Sequence, residues 1–272
     1  MNWKEKIEEM AKEVMKEIKR MGIPYKDCKE EVFEEALMHE FRLNGIPYER
    51  QRNIEIIYKG YSIGMRRPDC IINPGKREEE FLCEMKRVSE IKKDHIRQAE
   101  VYLFSLNIPE GCLLNFNPST GSPEIKEVTK PPRNWKDEIV LPKKEKTKKQ
   151  ISEILLEAGK EVVNYLGMEF MYYKEPAEIY INAVGVELRL RGISFYSIEY
   201  PVLYKGQEVA TYKYNYIFED ESAASIFVYK KTEDINEELE KLKIYNKIFG
   251  IKKGYILALP TKENMEVEVK EV

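Results

Sequence analysis

The sequence predicts an α/β protein of two tandem domains, each a set of strands flanked by helices. Internal repetition is the first observation behind this expectation. Ala11-Lys12-Glu13-Val14 returns as Gly159-Lys160-Glu161-Val162, Glu40-Phe41-Arg42-Leu43-Asn44-Gly45-Ile46 as Glu187-Leu188-Arg189-Leu190-Arg191-Gly192-Ile193, and Tyr58-Lys59-Gly60 as Tyr204-Lys205-Gly206. Ile108, Gly111 and Leu114 then match Ile251, Gly254 and Leu257, with an offset that drifts as short insertions and deletions would make it drift. The second observation is that helical and strand periodicities follow the same order in both halves. The third is length: 272 residues accommodate two domains of roughly 100–150 residues, each able to bury its own core. The expected division is residues 1–117, a Pro- and Lys-rich linker over 118–149, and residues 150–272.

Each element has a local reason. Ile7, Met10, Ala11, Val14, Met15 and Ile18 recur at helical spacing over residues 3–21, with charge on the remaining face. A second helix over 28–43 aligns Val32, Ala36, Leu37 and Phe41, and Asn44-Gly45 suits a left-handed cap. Residues 53–57 and 61–65 flank Tyr58-Lys59-Gly60 as a hairpin, residues 69–72 lead into a turn at Asn73-Pro74-Gly75, and residues 81–88 read as a strand. A helix over 91–106 precedes the apolar strand 112–116. The second copy repeats this from Ile151 to Val267. Between them Pro118, Pro123, Pro131, Pro132 and Pro142 mark the linker, with Trp135 to Leu141 as a short strand within it.

Composition narrows the function classes. At 43% hydrophobic and 34% charged, the chain reads as a soluble globular protein. No apolar run approaches the roughly 20 residues of a membrane span, and Met1-Asn2-Trp3-Lys4 opens a charged helix rather than a signal peptide. A cytoplasmic protein is therefore expected. Cys28, Cys70, Cys83 and Cys112 lack the close paired spacing of a zinc site and read as buried, reduced thiols. Abundant Lys, Glu and Ile with four Gln resembles the composition of thermophile proteins. A net charge of −3 leaves nucleic-acid binding to local basic patches. Candidates are Arg66-Arg67, Lys86-Arg87, Lys92-Lys93 and the run Lys143 to Lys149; the plainer reading of each is a solvated lysine face. Tyr204, Tyr212, Tyr214 and Tyr216 with Lys205 and Lys213 make either a base-stacking face or ordinary cross-strand packing.

The residue types that carry chemistry lie in the first copy. Pro68-Asp69 and Glu84-Met85-Lys86 put one carboxylate at the end of a hairpin and another two residues from a lysine on the next strand. Side chains two apart on a strand share a face, so Glu84 and Lys86 point together while Phe81, Cys83 and Met85 turn to the core. Two convergent carboxylates, Asp69 and Glu84, make an oxygen-rich site for Mg²⁺ or Mn²⁺, able to activate water and offset charge on a phosphodiester. His95, Gln98 and Tyr102 fall on one helical stripe that can reach the same cleft.

This PD…ExK pattern, with an acidic helix before it and a Gln-bearing helix after it, resembles the PD-(D/E)XK nuclease superfamily. Within it, Glu30 to Leu37 running into Glu40-Phe41-Arg42-Leu43 and Gly45-Ile46-Pro47 resembles the GxxExxR family, over residues 11–117 and more faintly over 159–260. The resemblance implies two restriction-endonuclease-like αβββαβ domains, each with a mixed central sheet flanked by helices. It implies Asp69 and Glu84 as metal ligands, Lys86 as the catalytic lysine, Glu30 as a further acidic residue and Gln98 as an orienting glutamine, all in a Mg²⁺- or Mn²⁺-dependent site. Asp27 stands where the family's signature has glycine. The nucleic-acid contacts expected around the cleft are Arg66, Arg67, Arg87, Lys92, Lys93 and His95.

In the second copy Asp69 aligns with Asn215, Glu84 with Tyr229, Gln98 with Lys241, Glu30 with Ala177 and Lys86 with Lys231, so that half reads as a pseudo-nuclease. Two function classes follow. One is a metal-dependent nuclease acting on DNA or RNA, with homodimerisation supplying two active centres. The other is a non-catalytic scaffold on the same fold that holds nucleic acid or a ribonucleoprotein such as the ribosome. A regulatory protein partner is a third. Convergence of Asp69, Glu84 and Lys86 on an open cleft favours the first; their burial in salt bridges favours the second.

Overall fold

A computed structural model describes residues 2–76, 79–131, 140–142, 149–172, 176–262 and 264–272. The chain divides into two compact units, residues 1–138 and 139–272. Among the described residues no helix is long and apolar enough to cross a membrane.

The first unit opens with α1 (Trp3–Arg20), whose Asn2 side chain accepts the Glu5 N–H at 3.3 Å and whose apolar stripe from Ile7 to Ile18 is buried. Next come α2 (Glu30–Leu43), β1 (Tyr48–Arg50), the hairpin β2 (Ile54–Tyr58) and β3 (Tyr61–Arg66), β4 (Cys70–Ile72), β5 (Phe81–Lys86), α3 (Lys93–Leu106), β6 (Glu110–Asn117) and β7 (Ser122–Thr129). The sheet runs β1-β4-β5-β6-β7, parallel between β5 and β6 and antiparallel elsewhere. The expected order of helix, strands, helix and strand is present from α2 to β6, with α1 in front and β7 behind; β1 is an unexpected addition to the sheet, and the expected hairpin, β2 with β3, forms a two-stranded sheet of its own. Phe33 of α2 stacks on Phe116 of β6 at 4.9 Å, and Phe81, Cys83 and Met85 join α1 and α2 in one core. Period-2 alternation turns Leu82, Glu84 and Lys86 to the opposite face, toward α3.

Two sequence signals have clear physical grounds. Tyr-Lys-Gly recurs because both hairpin turns need positive φ: Lys59 and Gly60 stand at 49° and 85°, Lys205 and Gly206 at 51° and 85°. Gly111 permits close approach of the parallel pair, since a Cβ there would lie 2.6 Å from both the Cβ and the carbonyl oxygen of Leu82. All four cysteines are buried and free, with Cys83 and Cys112 paired across β5 and β6.

The second unit comprises α4 (Ile151–Leu166), α5 (Pro176–Leu190), β8 (Phe195–Tyr204), β9 (Gln207–Phe218), β10 (Ala223–Tyr229), α6 (Thr232–Phe249), β11 (Gly254–Pro260) and β12 (Glu268–Glu271). Its sheet runs β8-β9-β10-β11-β12, with β10 and β11 parallel, the same order and sense as in the first unit. One long ribbon, β8 with β9, stands where the first unit has β1 with β4 and the separate hairpin β2 with β3. Pro68, lacking an N–H, and Gln51 at φ 49° sit at the two interruptions.

One expectation changes. Ser122–Thr129, assigned to the linker, is an edge strand fully paired with β6; only Val128 on it is buried, so it carries little apolar alternation, and Pro123 is tolerated on an edge. Of the two readings of the tyrosines, packing holds for Tyr212, Tyr214 and Tyr216 of β9, whereas Tyr204 ends β8. Tyr214 and Tyr216 are buried, Tyr212 stacks on Tyr245 of α6 at 3.8 Å, and only Tyr204, at 61% exposure, is open. Residues 143–148 of the expected lysine run and most of the expected strand Trp135 to Leu141 lie outside the described residues.

Candidate nuclease site

The site is built where β4 and β5 part. Their register pairs Cys70 with Cys83, so Asp69, one residue before β4, comes opposite Glu84. Asp69 Oδ2 accepts the Met85 N–H at 2.7 Å, and the Asp69 N–H donates to Glu84 Oε2 at 3.2 Å. Side-chain bonds thus replace the ladder where Pro68 interrupts it. Lys86 Nζ donates to Glu84 Oε1 at 3.2 Å. Glu84 is 1% exposed, while Asp69 keeps part of its surface open.

Helix α2 brings more negative charge to the same point. Glu30, its first residue, accepts the Arg87 backbone N–H and feels the charges of Lys86 and Asp69. One turn later Glu34 faces Asp69 and Glu30 and lies 3.6 Å from the Arg50 guanidinium. Crowding and burial work together here. Burial, with the Asp69 charge, pushes the Glu84 carboxyl up to about 8 against the pull of Lys86. Burial, with Asp69 and Glu30, raises Glu34 to about 7, and burial lifts Glu30 and Asp69 as well. Four carboxylates (Glu30, Glu34, Asp69, Glu84) thus gather around two cations, Lys86 and Arg50.

Helix α3 closes the other side. His95 is buried, and its Nδ1 accepts the Lys92 N–H at 3.0 Å, tying the helix start. Burial, then the Lys86 and Lys92 charges, holds its imidazole down at about 4. Gln98 is fully buried one turn on, its amide donating to the Tyr102 hydroxyl at 3.4 Å.

Of the expected residues, Asp69, Glu84, Lys86, Glu30 and His95 come together. Gln98 lies on the same stripe as His95, where its amide meets Tyr102. Arg87 turns the other way, donating to the Tyr25 carbonyl at 2.7 Å. Arg67 bonds Asn53 at 2.6 Å and Arg66 the Met65 carbonyl at 2.8 Å, both at the base of the β2–β3 hairpin. Lys92 and Lys93 are exposed at the start of α3. Glu34 and Arg50 were not singled out from the sequence. Glu34 had a usable signal, one helical turn after Glu30; Arg50, on a three-residue strand, had none. Among the described residues no group of three or more His, Cys, Asp and Glu side chains forms a ready-made metal cage.

The second unit corrects the alignment expected between the two halves. Asn215 does occupy the place of Asp69, its Oδ1 accepting the Ile226 N–H at 2.6 Å as Asp69 accepts that of Met85. Sheet register, however, pairs Ser225 with Ile256 and Ala223 with Gly254, whereas Leu82 pairs with Gly111. Ser225 therefore stands for Glu84 and Phe227 for Lys86, not Tyr229 and Lys231. Lys231 is the N-cap of α6, the place Lys92 holds on α3. A shorter turn between β9 and β10 than between β4 and β5 shifts the numbering.

Residues 2–128 match the family model of the PD-(D/E)XK nuclease superfamily. A solved structure described as "Crystal structure of SSO0001" is similar at 16% sequence identity and a TM-score of 0.28, over 38% of this chain and 50% of that chain. No curated protein matches this chain.

Proposed function

We propose that the first unit is a Mg²⁺- or Mn²⁺-dependent nuclease cutting phosphodiesters of DNA or RNA. The observation that carries this is the convergence of Asp69, Glu84, Lys86 and Glu30 on one point of the sheet, in a segment that matches the nuclease superfamily model. The donor set suits a hard divalent cation. It is all oxygen, and a bound cation would favour the ionised form of the carboxyls that burial and one another hold high. Asp69 and Glu84 would hold the ion, with water and substrate oxygens completing the shell, as Mg²⁺ prefers. Such an ion supplies Lewis-acid polarisation of the phosphodiester and a nucleophilic water near neutral pH.

The chain's own residues do the rest. Lys86, fixed by Glu84 and 12% exposed, presents a cation to the attacking oxygen or the scissile phosphate. Glu30, anchored on the Arg87 N–H, can orient a water or take its proton. His95, uncharged at neutral pH, sets the start of α3 beside Lys86. The second unit holds the same strand order without the acidic and basic set, and we infer that the chain is a duplication with one working and one degenerate copy. Homodimerisation would then give two working centres.

The test compares wild type with Glu84→Ala and Lys86→Ala on single-stranded, duplex and branched DNA and on structured RNA, with Mg²⁺, Mn²⁺ or EDTA. Metal-dependent cutting reduced by about a thousandfold or more in both variants is expected. Absence of cutting by wild type on every substrate, with nucleic-acid binding retained in the variants, would replace the nuclease reading with the scaffold.

A further inference from the structure

Arg50 is the cation of this cluster that sequence reading passes over. It ends β1, where register pairs it with Cys70, the residue after Asp69. Its guanidinium bonds Glu35 and lies 3.6 Å from Glu34. The two site cations differ in freedom. Lys86 is 12% exposed and tied to a Glu84 that is 1% exposed, whereas Arg50 is 31% exposed and its nearer partner, Glu35, 61% exposed. A pair so open to solvent contributes little, so its guanidinium can exchange Glu35 for another anion at small penalty.

Resting on the nuclease reading, we propose that Arg50 is the phosphate-contacting cation of the site, parked on Glu34 and Glu35 until a substrate phosphate takes their place. A guanidinium fork matches phosphate oxygens in two parallel bonds, which an ammonium cannot do. The second unit supports the assignment. Counting from the shared glycines Gly45 and Gly192, Arg50 corresponds to Ser197 and Glu34 to Ile181. Ser197 spends its hydroxyl on the Tyr214 carbonyl at 3.1 Å. Clamp and parking carboxylate are thus missing from the unit that also lacks the counterparts of Glu84 and Lys86.

The experiment measures kcat and KM for cleavage of a labelled oligonucleotide in Mg²⁺, and the salt dependence of its binding in EDTA. Wild type, Arg50→Ala, Arg50→Lys and Arg20→Ala are compared, the last removing an exposed arginine of α1 that pairs with Glu17. Loss of one phosphate contact should lower the slope of log affinity against log salt by about one in Arg50→Ala and leave it unchanged in Arg20→Ala. kcat/KM should fall by about tenfold or more, and Arg50→Lys should recover the salt slope but not the full kcat/KM. Thermal melting of Arg50→Ala close to wild type separates this from misfolding. If wild type cuts and Arg50→Ala keeps both its slope and its kcat/KM, Arg50 is not the clamp. A wild type that neither cuts nor binds overturns the nuclease reading, and this inference with it.

Discussion

Acidification should unseat the start of α3 through a single side chain. His95 is buried, its Nδ1 accepts the Lys92 N–H, and two ammonium groups, Lys86 and Lys92, bear on it. Protonation puts a hydrogen on the accepting nitrogen, so the helix loses its tie and a third positive charge joins two others. The folded-state value is about 4 against an ordinary 6.5. A depressed value means that the unfolded chain binds more protons between these limits. The stability His95 contributes is therefore complete above pH 6.5 and is lost as pH falls toward 4. At about 1.4 kcal/mol per unit, the loss at pH 5 is about 2 kcal/mol, and solvent around the site reduces this to 1–2 kcal/mol. The assay is urea unfolding from pH 7.5 to 4.5 for wild type and His95→Gln. Glutamine at the third helical position also reaches back to the N-cap N–H, yet it does not titrate. The carboxyls held high, Glu34 and Glu84, act in the opposite sense and are common to both proteins. The variant should thus gain on wild type by about 1–2 kcal/mol between pH 7 and 5. Parallel pH profiles would refute a neutral, buried His95.

Other outcomes follow from single contacts. Asp69→Asn should preserve the Met85 N–H bond, as Asn215 does for Ile226; melting within a few degrees of wild type is expected, with metal-dependent cutting down by about a hundredfold or more. Gly111→Ala places a methyl 2.6 Å from the backbone oxygen of Leu82, and chemical denaturation should register a loss of about 2 kcal/mol or more. Removing Mg²⁺ with EDTA should abolish cutting and leave the fold intact by circular dichroism, because the first unit has an apolar core built from α1, α2 and the sheet.

Much of the architecture was legible because its signals are local. The stripe from Ile7 to Ile18 is a helix period, and Tyr-Lys-Gly is a turn that demands positive φ. The alternation Cys83, Glu84, Met85, Lys86 separated core from site without any tertiary knowledge. What failed depended on partners distant in sequence. β7 looks like a linker because an edge strand with one wet face needs no apolar run. The equivalence of Glu84 with Ser225 is fixed by which residues face Gly111 and Gly254 across a parallel pair, and residue counting through a shortened turn cannot supply it. Arg50 belongs to the site only because β1 lies beside β4.

That register also separates what the Pro-Asp position does for folding from what it does for chemistry. Asp69 and Asn215 make the same bond to the strand beside them, so an oxygen acceptor at this point serves the sheet in both units; the negative charge serves something else. Around Asp69 the charge is accompanied by three further carboxylates whose ionisation is disfavoured by burial and by one another. Around Asn215 the corresponding residues are Ala177, Ile181 and Ser225, and Phe227, packed on the second core, stands where Lys86 would. A buried cluster of like charges opposes folding unless a counter-ion arrives, and the second unit shows that this fold does not need one. The fold thus stands without the acidic cluster in the second unit, and under the function proposed above the cost of the cluster in the first unit is what a bound cation would offset.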